Sequence, residues 1–154
     1  MSVDKVERLR ELLAGTDKIT AFTGAGVSTA SGIPDFRGPD GLWQTFRPPD
    51  FQAFLRSEEE RERYWEFHRL TFGEMEAAEP NPAHQALAEL ERKGRLIGLI
   101  TQNVDGLHHR AGNTRLVELH GTVWFSRCLT CGRKWPTREV LNRVEAGDKA
   151  PRCD

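Results

Sequence analysis

Residues 18–32 read KITAFTGAGVSTASG, and the way this stretch divides decides the fold. Lys18 to Thr23 is a short β-rich run, which breaks at Gly24 and Gly26 into a Gly-x-Gly turn. Such a turn leaving a strand is where phosphate-binding loops lie, because glycine lets backbone N–H groups approach a diphosphate. The pattern is not the full Gly-x-Gly-x-x-Gly, since Thr29 stands at the sixth position. Nor does an acidic residue end a second strand about 20 residues on, as a dinucleotide fingerprint requires. Alone, the turn reads more often as structure than as a site.

Working outward, Val6, Leu9, Leu12 and Leu13 fall at helical spacing before the strand, with Gly15 placed to end the helix. After it, SGIPDFRGPDGLWQTFRPPD is a proline- and aromatic-bearing loop without periodicity. Residues 57–79 read as helical, with acids early and Tyr64, Trp65, Phe67 and Phe72 for packing. The next helix is well punctuated: Asn81 as cap, Pro82 in the first turn, Gly94 just past the end. RLIGLITQNVD is a buried strand running into a polar turn, TRLVELHGTVW another short strand, and TREVLNRVEAG a last helix with Val140, Leu141 and Val144 on one face. Strands alternating with helices favour a parallel α/β sheet.

Composition excludes several classes. The 154 residues are 38% apolar and 29% charged with a net charge of −1, an ordinary soluble balance with no general pull toward nucleic acid or anionic membrane. Apolar runs such as LIGLI are far too short to span a bilayer, and MSVDKVERLREL has no apolar core for a secretory signal. Three cysteines, two of them in Cys-x-x-Cys, read as metal ligands in a reducing compartment, with the cytoplasm as the expectation.

Three polar clusters surround the strand ends. Asp35, Phe36 and Arg37 follow the glycine turn in a loop stiffened by proline, and an arginine there can pair with a diphosphate. Gln102, Asn103 and Asp105 lie at the C-terminal end of a strand, where open α/β sheets bind ligands. His120 ends another strand beside Gly121. His68 and His84 lie within helices and read as surface or half-buried residues, and His108 and His109 are left between local structure and substrate contact.

Together GAGVSTASGIPDFRG, TQNVDGLHHRAG and ELHG followed by Cys-x-x-Cys resemble the signatures of the sirtuins, the NAD-dependent protein deacylases, from about Lys18 to Asp154. The resemblance implies NAD as co-substrate: the acyl-lysine oxygen attacks the nicotinamide ribose, nicotinamide leaves, and O-acyl-ADP-ribose is released. It implies His120 as the base that activates a ribose hydroxyl, and Asn103 with Gln102 fixing ribose hydroxyls and a water. Asp105 would accept from the nicotinamide carboxamide. Gly24, Ala25, Gly26 and Ser28 would wrap the diphosphate with Arg37 beside it. Phe36 would separate departing nicotinamide from the intermediate, and Asp35 would order this loop. Acyl-lysine proteins are the implied partners. Tyr64 is followed three positions on by Phe67, not by the arginine of the desuccinylating members, so class II is the nearer likeness.

Cys128, Cys131 and Cys153 look like three ligands of the family's structural zinc ribbon, whose fourth cysteine would lie past residue 154. The expected fold is therefore α/β: a partial Rossmann-like parallel sheet with helices on both faces plus an incomplete zinc-ribbon module. Residues 1–123 form the NAD-binding portion, with an inserted helical segment at about 45–79, and residues 124–154 the partial zinc module. The family's C-terminal strands are expected to be absent, activity impaired, and residues after about Gly147 poorly ordered. The alternatives are a non-catalytic NAD- or zinc-binding interaction module, or a mono-ADP-ribosyltransferase.

Overall fold

The computed structural model describes residues 3–35, 38, 41 and 47–153. Helix α1 (Val3–Ala14) leads into β1 (Ile19–Thr23), which gives way to two 3-10 turns, Ala25–Val27 and Thr29–Ser31. Helices α2 (Phe51–Arg56), α3 (Glu58–Ala77) and α4 (Pro82–Arg92) precede β2 (Leu96–Thr101). Then come α5 (Leu107–Ala111), β3 (Leu116–Glu118), the β4 (Phe125–Arg127) and β5 (Lys134–Pro136) hairpin, and α6 (Thr137–Glu145).

Among the described residues β1, β2 and β3 form one parallel sheet in that order, and β4 pairs with β5 antiparallel. Parallel neighbours need a crossover, and α4 and α5 supply the two of them. The register skips Ile97 between Ile19↔Leu96 and Thr20↔Gly98, then runs evenly to the row Thr23, Thr101 and Glu118. Leu96, Leu99 and Thr101 of the central strand are buried. On the opposite face Phe22 and Val117 are 62% and 55% exposed, so the described helices cover that side sparsely.

The helix punctuation follows the sequence at α4. The Asn81 side chain accepts the N–H groups of Ala83 and His84, a cap worth about 1 kcal/mol, and Pro82 opens the first turn. The segment expected as a helix over 57–79 is α3, Glu58–Ala77, and the short helix α2 ahead of it was not expected. Ser57 is extended, accepts the Glu60 N–H as the cap of α3, and so breaks α2 from α3. Asp50 caps α2 by accepting the Ala53 N–H at 2.8 Å.

Among the described residues two small cores result. Ile33, Met75, Ala78 and Leu107 pack beneath the loop after β1. Trp65, Phe72, Val140 and Leu141 join α3 to α6, and Val123 touches both groups. The segment after Gly147, expected to lack order, has partners: Arg143 binds Asp148 and the Arg152 carbonyl, and Arg152 pairs with Glu58. No helix of the described residues is long and apolar enough to cross a membrane.

Candidate functional site

The row Thr23–Thr101–Glu118 is where all three parallel strands stop. Gly24, Gln102 and Leu119 follow it side by side, bonded by Gln102 N–H to the Thr23 carbonyl and Leu119 N–H to the Thr101 carbonyl. Asn103 and His120 therefore stand two residues past paired positions, at one carboxyl-terminal edge. Three motifs remote in sequence become neighbours because the sheet is parallel.

At that edge lies a buried polar cluster. The Ser28 hydroxyl donates to Asp105 Oδ2 at 2.7 Å, and Asn103 Nδ2 donates to Ser28 Oγ at 2.9 Å and to Asp105 Oδ2 at 3.2 Å. Asp105 Oδ1 accepts the Leu107 N–H, which starts α5. Ser28, Asn103 and Asp105 are all buried. The Ser28 hydroxyl is thus engaged in fixing Asp105 within this buried cluster.

Beneath the cluster are groups the sequence reading did not single out. His84 Nδ1 accepts the Asn81 N–H, and Nε2 faces Ser28 Oγ at 3.5 Å. The His84 and His108 rings lie 4.7 Å apart. His108 Nε2 is 2.9 Å from Thr23 Oγ1, the Thr23 hydroxyl donates to Thr101 Oγ1 at 2.9 Å, and the Asn103 N–H donates to Thr101 Oγ1 at 3.1 Å. Burial, with His84 nearby, pushes His108 down to about 4, against the pull of Asp105, and burial also lowers His84. A histidine in place of Glu or Gln at the third helical position after Asn81 was the available signal for His84.

Trp124 is the other addition. Its indole N–H donates to the Asp105 carbonyl at 2.9 Å while its ring meets Phe72 edge-on. Gly106 beneath it has φ 72°, and a Cβ there would stand 2.5 Å from the indole nitrogen. The Val123 N–H donates to the Val104 carbonyl at 3.0 Å, so residues 123–124 clamp the 104–106 turn.

The glycine turn behaves differently from an ordinary tight turn. Neither Gly24 nor Gly26 has positive φ. A Cβ at Gly26 would meet nothing within 4 Å, and one at Gly24 would meet only Gln102 Nε2, at 3.4 Å. Among the described residues nothing demands glycine there, and what the missing side chains leave is room beside the sheet edge. Gln102 is exposed beside this room, and Ala25 opens the first 3-10 turn. Asp35 accepts the Gly38 N–H at 2.7 Å and so orders its own loop. Phe36 and Arg37 lie outside the described residues. His120 is exposed in the turn after β3, closed by the Gly121 N–H on the Glu118 carbonyl.

The Sγ atoms of Cys128, Cys131 and Cys153 all lie within 4.8 Å of one another, with Cys131 and Cys153 at 3.5 Å. Tetrahedral zinc with thiolates at about 2.3 Å separates its sulfurs by about 3.8 Å, so the three fit one face of such a site. The Thr130 and Cys131 N–H groups donate to Cys128 Sγ, stabilise the thiolate and lower it to about 6.

A family model described as the Sir2 family matches residues 24–154. The chain belongs to the Sir2 family. It is 45% identical over 148 residues to an NAD-dependent protein deacetylase of Saccharolobus solfataricus, spanning 96% of this chain and 60% of that protein. It is 47% identical over 146 residues to the NAD-dependent protein deacylase SRT2 of Arabidopsis thaliana, spanning 94% of this chain and 39% of that protein. Among solved structures, a Sir2 complex with a deacetylated p53 peptide and 3′-O-acetyl ADP-ribose matches at TM-score 0.87 and 37% identity, over 97% of this chain and 60% of the other. A Sir2 complex with p53 peptide and NAD+ matches at TM-score 0.82 and 37% identity, over 97% and 59%. This Sir2 chain thus spans about 60% of the length of several of its curated relatives. The α/β fold expected from sequence is the Sir2 fold over that span.

Proposed function

We propose that this chain carries the nicotinamide- and ribose-handling part of an NAD-dependent protein-lysine deacylase. Supporting it is one observation above the rest. The two glycines that leave room beside the sheet edge share that edge with Asn103, Asp105 and His120, in a member of the Sir2 family.

In this reading Gly24, Ala25 and Gly26 admit the diphosphate with Arg37 beside them. Gln102 and Asn103 hold ribose hydroxyls, Asp105 takes the nicotinamide carboxamide, and Asp35 and Phe36 shape the nicotinamide side. His120, exposed at the rim, accepts the ribose-hydroxyl proton as the acyl group moves, a role worth roughly 10²–10⁴-fold. Ser28 acts from below, keeping the Asp105 carboxylate in place. Acyl-lysine proteins are the substrates, and the class II likeness at Tyr64 and Phe67 favours acyl groups other than succinyl. Residues 1–123 form the NAD-binding portion and 124–154 the zinc-binding module, in which Cys128, Cys131 and Cys153 hold a structural zinc. That thiolate chemistry suits a reducing compartment, the cytoplasm.

The test is formation of O-acyl-ADP-ribose from NAD by this chain and by His120→Ala, with an acetylated or lipoylated peptide present. Peptide-dependent formation that disappears in the variant is expected. Formation unchanged by the substitution would sink the assignment of His120, and absence of saturable NAD binding would sink the reading for this chain.

A further inference from the structure

His108 is 1% exposed, touches no reacting group and keeps one ring nitrogen, Nδ1, without a hydrogen-bond partner. If the position served packing alone, an apolar side chain would avoid that unsatisfied atom. The other nitrogen explains the imidazole. The Thr23 hydroxyl has one proton and gives it to Thr101 Oγ1, so Thr23 Oγ1 meets His108 Nε2 with its lone pairs. His108 Nε2 must therefore carry the proton, and the unpartnered Nδ1 is a bare lone pair, the cheaper of the two atoms to leave unsatisfied. Thr101 Oγ1 in turn accepts the Asn103 N–H. A chain of donors thus runs His108, Thr23, Thr101, and meets the main chain of Asn103.

On its other side Asn103 is held by its carboxamide, whose Nδ2 is committed to Ser28 and Asp105. Only Oδ1 remains to accept from a ligand hydroxyl. Its direction depends on the Asn103 backbone staying where Thr101 holds it. We propose that His108 is a positioning residue for Asn103: its Nε2–H orients the Thr23 and Thr101 hydroxyls, which fix the Asn103 main chain and so aim Asn103 Oδ1 at the ribose. The ribose half of this statement rests on the deacylase reading; the positioning half does not.

The two halves separate experimentally on the full chain. Nitrogen NMR of the histidines reads the tautomer, with Nε2 protonated expected for His108; a proton on Nδ1 overturns the direction of the chain. Amide exchange of Asn103 is then compared with Leu99, whose N–H donates to the Arg115 carbonyl within the sheet. His108→Leu should speed Asn103 exchange about tenfold relative to Leu99, the loss of one buried hydrogen bond. His108→Gln, which restores a side-chain N–H, should return it to within about twofold. Thr23→Val removes the intermediate hydroxyl at constant volume and should reproduce His108→Leu; it decides the matter if the leucine variant does not fold. Asn103 exchange unchanged in Thr23→Val overturns the proposal. ADP-ribose affinity, measured calorimetrically, should fall in step with exchange. If the unaltered chain binds no ADP-ribose, the deacylase reading fails while the exchange data still decide the role of His108.

Discussion

His84 Nδ1 accepts the backbone N–H of Asn81 at 3.3 Å, and this bond settles the state of the ring. With Nδ1 an acceptor, a neutral His84 carries its proton on Nε2, toward Ser28. A second proton would oppose the Asn81 N–H and break the capping box of α4. The start of a helix and the underside of the candidate site are thus held by one uncharged imidazole.

Stability should accordingly fall on mild acidification. Burial holds His68 at about 4, and burial first, then His84, hold His108 at about 4. In the unfolded chain both titrate near 6.5, so the unfolded form takes up protons first. Their contribution is complete above about pH 6.5, is lost as pH falls from there, and levels off below about 4. The loss should be on the order of 2–3 kcal/mol for each, read from urea denaturation at a series of pH values. A flat profile between pH 7 and 4.5 would show that both rings are solvated.

Glu91 gives a second, lower window. Burial raises its pKa, but Thr114, Asn113 and the N–H groups of Thr114 and Arg115 outweigh burial and hold it at about 2. Its stabilisation is present above about 4.5 and lost as pH falls through 2. Glu91→Gln should cost about 1–2 kcal/mol at neutral pH, because one carboxylate anchors the whole 113–115 loop to α4. Denaturation midpoints compared at pH 7 and pH 3 would test it, with the difference shrinking at the lower value.

Gly106→Ala should be poorly tolerated. Position 106 combines a left-handed φ with the indole of Trp124 overhead, so the methyl meets both strain and collision. A loss of about 1–3 kcal/mol is expected. Trp124→Phe separates the two roles of the ring: packing on Phe72 stays, the bond to the Asp105 carbonyl goes, and about 1 kcal/mol should be lost. Equal losses in Trp124→Phe and Trp124→Ala would mean that the hydrogen bond, not the ring contact, carries the residue.

The cysteine cluster should take one metal ion per chain. Cobalt titration should produce thiolate charge-transfer absorption, competed away by zinc, and Cys128→Ser should abolish it. Zinc should raise the thermal midpoint by ligand linkage. Binding that survives loss of Cys128 would disconnect the metal from this cluster.

What could be read in advance followed from local chemistry. The β1 run, the Asn81–Pro82–Gly94 punctuation and the apolar face of α6 each announce themselves within a dozen residues. The edge cluster was legible as three separate motifs, because each sits where a strand ends. Their hydrogen bonding was not. Ser28 meets Asp105, and His108 meets Thr23, only because β1 and β2 pair in register, and register is a long-range fact. Ser57 looked like the start of one helix, but its extended backbone also closes α2, whose start at Asp50 lies among prolines that carry no periodicity.

Trp124 has a wider meaning. Two hydrogen bonds from residues 123–124 and a packed indole tie the 104–106 turn to the segment leading into the cysteine hairpin. Linkage between two such places is reciprocal: whatever free energy metal loading gives to the order of the turn, a ligand ordering the turn returns to the metal. A metal ion at the cysteines and a ligand at the sheet edge, sought in separate assays, are then expected to report each other's occupancy.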